Sequence, residues 1–251
     1  MDAAEFAARL EADAAVVDAT VAGEAFPRGD HGTGAVFETV TFDRVDFTAA
    51  ELAGARFRDC SFRRCTLDRA HLAEAHFERC GFCDAEAGEG CSFEHADLEG
   101  AVFRGCDLSL CTLRGGQAWN LVLEDCTAQG LTVERVDFSR RPTRRVTLTA
   151  FTAHRCNLSF AELTGLYLAG ADLSGSRLRE AILDGVDLSE AKLPDCDLSG
   201  LTARRLALRG ADLRDAQLAG LDPRSVDLGD ARIRAWQAGP LLEAMGLQVE
   251  D

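Results

Sequence analysis

Between residues 168 and 193 the chain reads LAGADLSGSRLREAILDGVDLSEAKL, with leucine at 168, 173, 178, 183, 188 and 193. A spacing of five fits neither the 3.6-residue period of an α-helix nor the two-residue alternation of one long strand. The same rule governs most of the chain. Every fifth residue from Phe37 to Phe82 is Phe or Leu, the phase then slips by one, and the spacing resumes from 88 to 233. Of the thirty positions in that second stretch, 23 hold Leu, Phe, Ile or Val; the exceptions are Gly88, Ala118, Ala128, Thr143, Ala153, Ala203 and Pro223.

A small apolar residue stands two positions before most of these centres, as at Ala50, Ala55, Cys60, Cys65, Ala171, Ala181 and Cys196. Residues two apart on an extended chain share a face. Each unit of five therefore points one small and one large side chain inward, with a polar one such as Asp172, Asp187 or Asp212 outward between them. Polar residues or glycine fill the other two places, which suits a tight bend requiring positive φ. Sides and corners repeated about forty times close only as a solenoid, in which each turn covers its neighbour's core.

ADLSG, VDLSE, ADLRD, CDLSG and ADLEG resemble the A(D/N)LXX motif of the pentapeptide repeat proteins, over about residues 35–234. That resemblance implies an all-β solenoid, a right-handed quadrilateral parallel β-helix of about ten coils. At ~4.8 Å per coil the rod is roughly 50 Å long. The expected division is a helical and linker extension over 1–34, the β-helix over 35–234 with breaks near 83–92 and 139–147, and a C-terminal helical cap and dimerisation segment over 235–251. Residues 2–19 read as an amphipathic helix with Phe6, Leu10 and Val17 on one side, and 29–34 as a linker. Pro240 fits the first turn of a C-terminal helix and Gly246 its end.

Ten cysteines raise the question of metals or disulfides. Nine occupy the small inward slot and Cys83 does not, so they read as small core side chains in place of alanine. No residue pattern points to a cofactor or a catalytic centre. The five histidines are scattered over outward or linker positions, and the paired acids have no cleft. No segment approaches the ~18 apolar residues of a membrane span, and Asp2, Glu5 and Glu11 stand where a signal peptide needs a basic start, so a cytoplasmic protein is expected.

The formal net charge of −15 disfavours direct nucleic-acid binding. It is concentrated: residues 83–138 carry eleven acids and three bases, beginning Asp84, Glu86, Glu89, Glu94, Asp97, Glu99 and Asp107. Beside this band lies SRRPTRRVT, with Arg140, Arg141, Arg144 and Arg145. Burying Arg141 at its inward slot would be costly, so 139–147 is expected to bulge outward. These acids and arginines are the candidate partner contacts. At the C-terminus Trp236, Leu241, Leu242, Met245, Leu247 and Val249 form an apolar set expected to cap the tube and join two copies.

The C-terminal segment resembles that of the Qnr quinolone-resistance proteins. The resemblance implies a two-fold homodimer. It also implies that the acidic rod imitates DNA to bind a type II topoisomerase, DNA gyrase or topoisomerase IV, and protects it from quinolones or natural poisons. The alternative is a protein–protein interaction scaffold with an unrelated partner.

Overall fold

The computed structural model describes residues 3–12, 15–23, 25–27, 29–144 and 146–249. Short parallel strands and single bridges stack in four columns, and each coil passes once through all four. The first face runs Val16, Phe37, Phe57, Phe77, Phe103, Leu123 and Ala153 in one seven-stranded sheet, and bridges carry it on to Arg232. The second face runs Val21, Phe42 and Phe62, then by bridges to Gln217. Bridges from Ala25 through Thr132 to Thr202 mark the third. The fourth runs from Glu51 to Asp137 and again from Tyr167 to Asp227. The chain is thus a parallel β-solenoid of about ten turns with two short helices.

Alternation produces this arrangement. In strands such as Val102–Arg104 the middle side chain is buried and its neighbours are not. The centres form the core, and in the N-terminal half they are mostly phenylalanines. Phe37, Phe57, Phe77 and Phe103 stack with ring centroids 4.6, 4.8 and 4.6 Å apart and planes within 12° of parallel. That spacing is the spacing of hydrogen-bonded strands, so one register satisfies backbone and rings together. Corners take the left-handed conformation. Besides glycines, twenty-two of the described residues there have positive φ, including Arg44, Asp59 and Glu180.

The nine inward cysteines are buried and free. Cys60, Cys80, Cys106, Cys126 and Cys156 stack in one column, followed by Ser176 and Cys196. They differ from alanine in one respect. The Cys60 thiol donates to Phe37 O (3.5 Å), the Cys80 backbone N–H donates to Cys106 Sγ (3.4 Å), and that of Cys156 donates to Ser176 Oγ (2.8 Å). Sulfur and hydroxyl thus bond backbone groups inside the tube. Burial pushes the Cys65 and Cys196 thiols up to about 12, so both remain protonated and inert.

Three regions differ from the sequence reading. The N-terminal helix, α1, spans Ala3–Glu11 only. Phe6 and Leu10 are buried as expected, but the chain then turns extended. Val16 points inward and Val17 outward, because Val16–Val17 and Thr20–Ala22 pair parallel with the next coil. The segment read as a linker closes this first coil through a 3-10 turn at Asp30–Gly32. Gly32 lies so near the next coil that a Cβ there would sit 2.4 Å from Glu51 O. The C-terminal helix, α2, spans Ala235–Ala244 with Pro240 inside it, not in its first turn, and Gly246 follows at φ +84°.

Both breaks are antiparallel hairpins that leave the other faces in register. Cys83–Asp84 pairs with Glu89–Gly90, and partners across this coil differ by 26 in number, as His76 with Val102, where 20 is usual. Ser139–Thr143 pairs with Val146–Thr149, and the difference rises to 30, as Leu121 with Phe151. Arg141 is exposed on the second hairpin, as its charge requires. The first hairpin leaves the corner between the second and third faces. The second leaves the corner between the fourth and first, diagonally across the tube, and among the described residues no bridge joins Asp137 to Tyr167 there.

Candidate partner-binding surface

Charge is sorted by face. On the first face acids and bases alternate from coil to coil. Arg58 lies 3.7 Å from Glu38 and 3.2 Å from Glu78, Arg104 pairs with Glu124 (3.0 Å), and Arg155 reaches Glu124 and Asp125 (3.1 and 2.7 Å). Lys192 pairs with Asp172, and Arg232 with Asp212. Asp172, Lys192 and Asp212 thus form one ladder of opposite charges, and Glu38, Arg58, Glu78, Arg104 and Glu124 another. Apart from the buried Asp212, such pairs are largely open to solvent and add little stability, but they neutralise the face. Arg114 with Glu134 and Arg224 with Asp222 do so on the third face, and Arg64 with Asp84 on the second.

The fourth face is different. It carries Glu51, Glu74, Asp97, Glu99, Asp137, Asp187, Glu190, Asp227 and Asp230, against Arg209 and, from the second hairpin, Arg140. Glu51, Asp97 and Asp137 alternate with His71 and Gln117 down one column; Asp187 and Asp227 flank Ala207 lower in the same column. Carboxylates therefore recur about every 10 Å. The net acidity of the chain becomes a strip along one side of a rod.

The acids expected to bind a partner do not lie on one surface. Asp97 and Glu99 are on the fourth face, Glu94 on the third and Asp107 on the second. Glu86 and Glu89 are exposed on the first hairpin. Asp84 is not available: it is buried, accepts Arg64 Nε at 2.7 Å and the backbone N–H groups of Glu86 and Ala87, and thereby folds the hairpin. Arg64, with the Ala87 N–H, holds its carboxyl below the usual range. Asp97 and Asp107 accept the N–H two residues on, from Glu99 and Ser109, which shapes the corners.

On the second hairpin Arg140 folds back instead of reaching out. Its guanidinium pairs with Glu99 and lies 5.2 Å from the centroid of the Trp119 ring, so the hairpin is latched across three coils of the acidic face. Arg141 and Arg144 are exposed, as are Val146 and Leu148; Arg145 lies outside the described residues.

At the C-terminal end α2 is fixed by Gln237, which is 2% exposed. Its Nε2 donates to Leu213 O and Ala216 O, both 2.8 Å, and its Oε1 accepts the N–H of Arg234 and Asp215. Trp236, Leu242, Met245, Leu247 and Val249 are exposed and Leu241 is half-buried, so most of the apolar surface of this cap faces away from the tube. Among the described residues no group of three or more His, Cys, Asp or Glu is placed to hold a metal, and no helix is long and apolar enough to cross a membrane.

The family profile for pentapeptide repeats matches in eight copies, over residues 41–79, 89–117 and 156–193. These stretches are pentapeptide repeats. The gaps between the matched stretches, 80–88 and 118–155, hold most of the first hairpin and all of the second. The solenoid of this chain is similar to that of full-length QnrB1, a plasmid-mediated fluoroquinolone resistance protein, with TM-score 0.74 and 28% identity over 93% of this chain and 100% of QnrB1. A trypsin-treated single-substitution form of QnrB1 gives TM-score 0.70 and 27% identity over 94% of this chain and 100% of that one. None of the curated sequences compared with the chain matches it.

Proposed function

We propose that this chain is a pentapeptide repeat protein that binds a type II topoisomerase, DNA gyrase or topoisomerase IV, at the surface that normally grips DNA, and protects it from quinolones or natural poisons. The observation that carries this reading is the strip of carboxylates on the fourth face of a rod whose other faces are neutralised. DNA presents a regular line of negative charge to a basic groove, and so does this face. The similarity to the fluoroquinolone resistance protein QnrB1 supports it. Complementary charge speeds encounter and makes binding sensitive to salt. The role is one of binding, not catalysis, and is exercised in the cytoplasm, where these enzymes act. Two copies join through Trp236, Leu241, Leu242, Met245, Leu247 and Val249, which doubles the length of the acidic strip.

The reading is tested by gyrase supercoiling with and without a quinolone. The purified protein is expected to restore supercoiling in the presence of drug, less effectively as salt rises. No effect at any excess of protein over gyrase or topoisomerase IV would overturn it and favour a scaffold with an unrelated partner. The basic second hairpin is the feature that favours that second reading, since it is unlike DNA. Replacing residues 139–149 by a short turn is expected to leave the rod folded and abolish protection.

A further inference from the structure

Positive φ disfavours bulky side chains, and glycine, asparagine and aspartate tolerate it best. The corners of this tube mostly follow that preference or carry charged residues. Among the described non-glycine residues with positive φ, Leu110 (φ 59°) and Phe160 (φ 62°) are the only large apolar ones. Both are turned outward, 47% and 54% exposed. They also share one corner column. The Leu110 N–H donates to Gln129 O beside Gly130, the Gly130 N–H to Ser159 O beside Phe160, and so the three residues occupy successive coils. Leu110 leans over Gly130, where a Cβ would meet Leu110 Cδ2 at 3.0 Å. The result is two apolar projections about 10 Å apart with a glycine saddle between them.

This corner continues the first hairpin. Gly90, on the hairpin's returning strand, rests on the Leu110–Cys111 peptide so closely that a Cβ would lie 2.3 Å from the Leu110 carbonyl carbon. Glu86 and Glu89 project from the hairpin above, and Asp107 lies on the same coil as Leu110. Beyond Phe160, Arg179 and Glu180 pair at 3.2 Å and leave that end neutral.

We infer that Leu110 and Phe160 form a docking spot for a partner protein that offers an apolar pocket bordered by basic side chains. This rests on the functional reading above, and the partner is therefore the topoisomerase. The charge supports that occupant: the acids of the hairpin match a basic border, as the fourth face matches a DNA groove. Apolar anchors flanked by complementary charge are the usual sites of concentrated binding energy. The spot lies diagonally across the tube from the second hairpin, so the partner contacts two edges of the rod.

The test uses Leu110→Asn and Phe160→Asn, singly and together, in the full chain. Asparagine suits positive φ, so the melting temperature is expected to stay level or rise. Binding of the double variant to purified DNA gyrase is expected to weaken at least tenfold against wild type. A fall of several degrees in melting temperature would mean that the pair is structural and overturn the inference. So would a change in the variant's own oligomeric state, which would mean that a second copy covers the corner. Wild-type binding matched by the double variant overturns the docking spot alone; absence of wild-type binding to gyrase and topoisomerase IV overturns the functional reading, and the docking spot with it.

Discussion

The two ends of the tube are closed in opposite ways. At the N-terminal end α1 turns its apolar side onto the core. Phe6 meets Phe26 edge-on at 5.7 Å and lies 6.4 Å from both Phe37 and Phe42. At the C-terminal end one polar side chain, Gln237, occupies the equivalent place, and the apolar residues of α2 and the tail look outward. A solenoid must cover its last coil at each end. The N-terminal cap spends its apolar surface on that task, whereas the C-terminal cap leaves most of its own exposed. A cap built of hydrogen bonds leaves that surface for the pairing of two copies proposed above.

The largest expected effect is at the first end. Phe6→Ala is expected to cost about 3–5 kcal/mol, since it empties a ring-lined site. Hydrogen exchange is expected to show lost protection over residues 16–43 while the coils beyond the second hairpin keep theirs. Uniform loss along the rod would show that the end does not act as a separate unit. Next comes Gln237→Leu, which fills the same space but strips the partners from Leu213 O, Ala216 O and two N–H groups. A cost of about 2–3 kcal/mol in denaturant unfolding is expected; no cost would mean that the polar plug is dispensable.

Asp212 lies in the coil beneath that plug and sharpens the comparison by pH. The Arg214 side chain, with its backbone N–H and Arg232, holds the Asp212 carboxyl down to about 2, against roughly 3.9 when unfolded. A lowered folded value stabilises above the unfolded one and is lost as pH falls toward the folded one. Asp212→Asn is therefore expected to cost about 1 kcal/mol at neutral pH, with the difference from wild type fading between pH 4 and 2. A difference that persists at pH 2 would show that charge is not its source. The smallest effect on folding is expected for Trp236→Ser combined with Leu242→Ser, within about 0.5 kcal/mol. Sedimentation is the measurement that matters here, with wild type expected as a dimer and the variant as a monomer.

The interior of the tube was legible because each inward position has one solution. A centre such as Leu173 or Phe62 is large and apolar in most coils, and that monotony shows as period five. The first coil was hidden because Val16, Val21 and Phe26 are offset by 21 from Phe37, Phe42 and Phe47, and Gly32 replaces the fourth centre. The surface was only partly legible. Sequence shows how many acids lie between 83 and 138 but not that Asp97 shares a face with Glu51. That follows from counting corners, and the six residues added by the first hairpin change the count. Nor does composition show that Asp84 is consumed in folding its own hairpin or that Arg140 is held by Trp119 and Glu99. Arg64 lies one coil from Asp84, and Trp119 and Glu99 lie one and two coils from Arg140, so no local pattern marks those pairings.

The chain has two tryptophans, and they stand at two different places of interest. Trp119 lies under the arginine that latches the second hairpin, and Trp236 is 61% exposed on the C-terminal cap. Replacing either by phenylalanine leaves a single indole whose fluorescence follows one event alone. Contact of a partner with the hairpin and the proposed pairing of the caps would thus be read separately in the unlabelled protein, with light as the only probe.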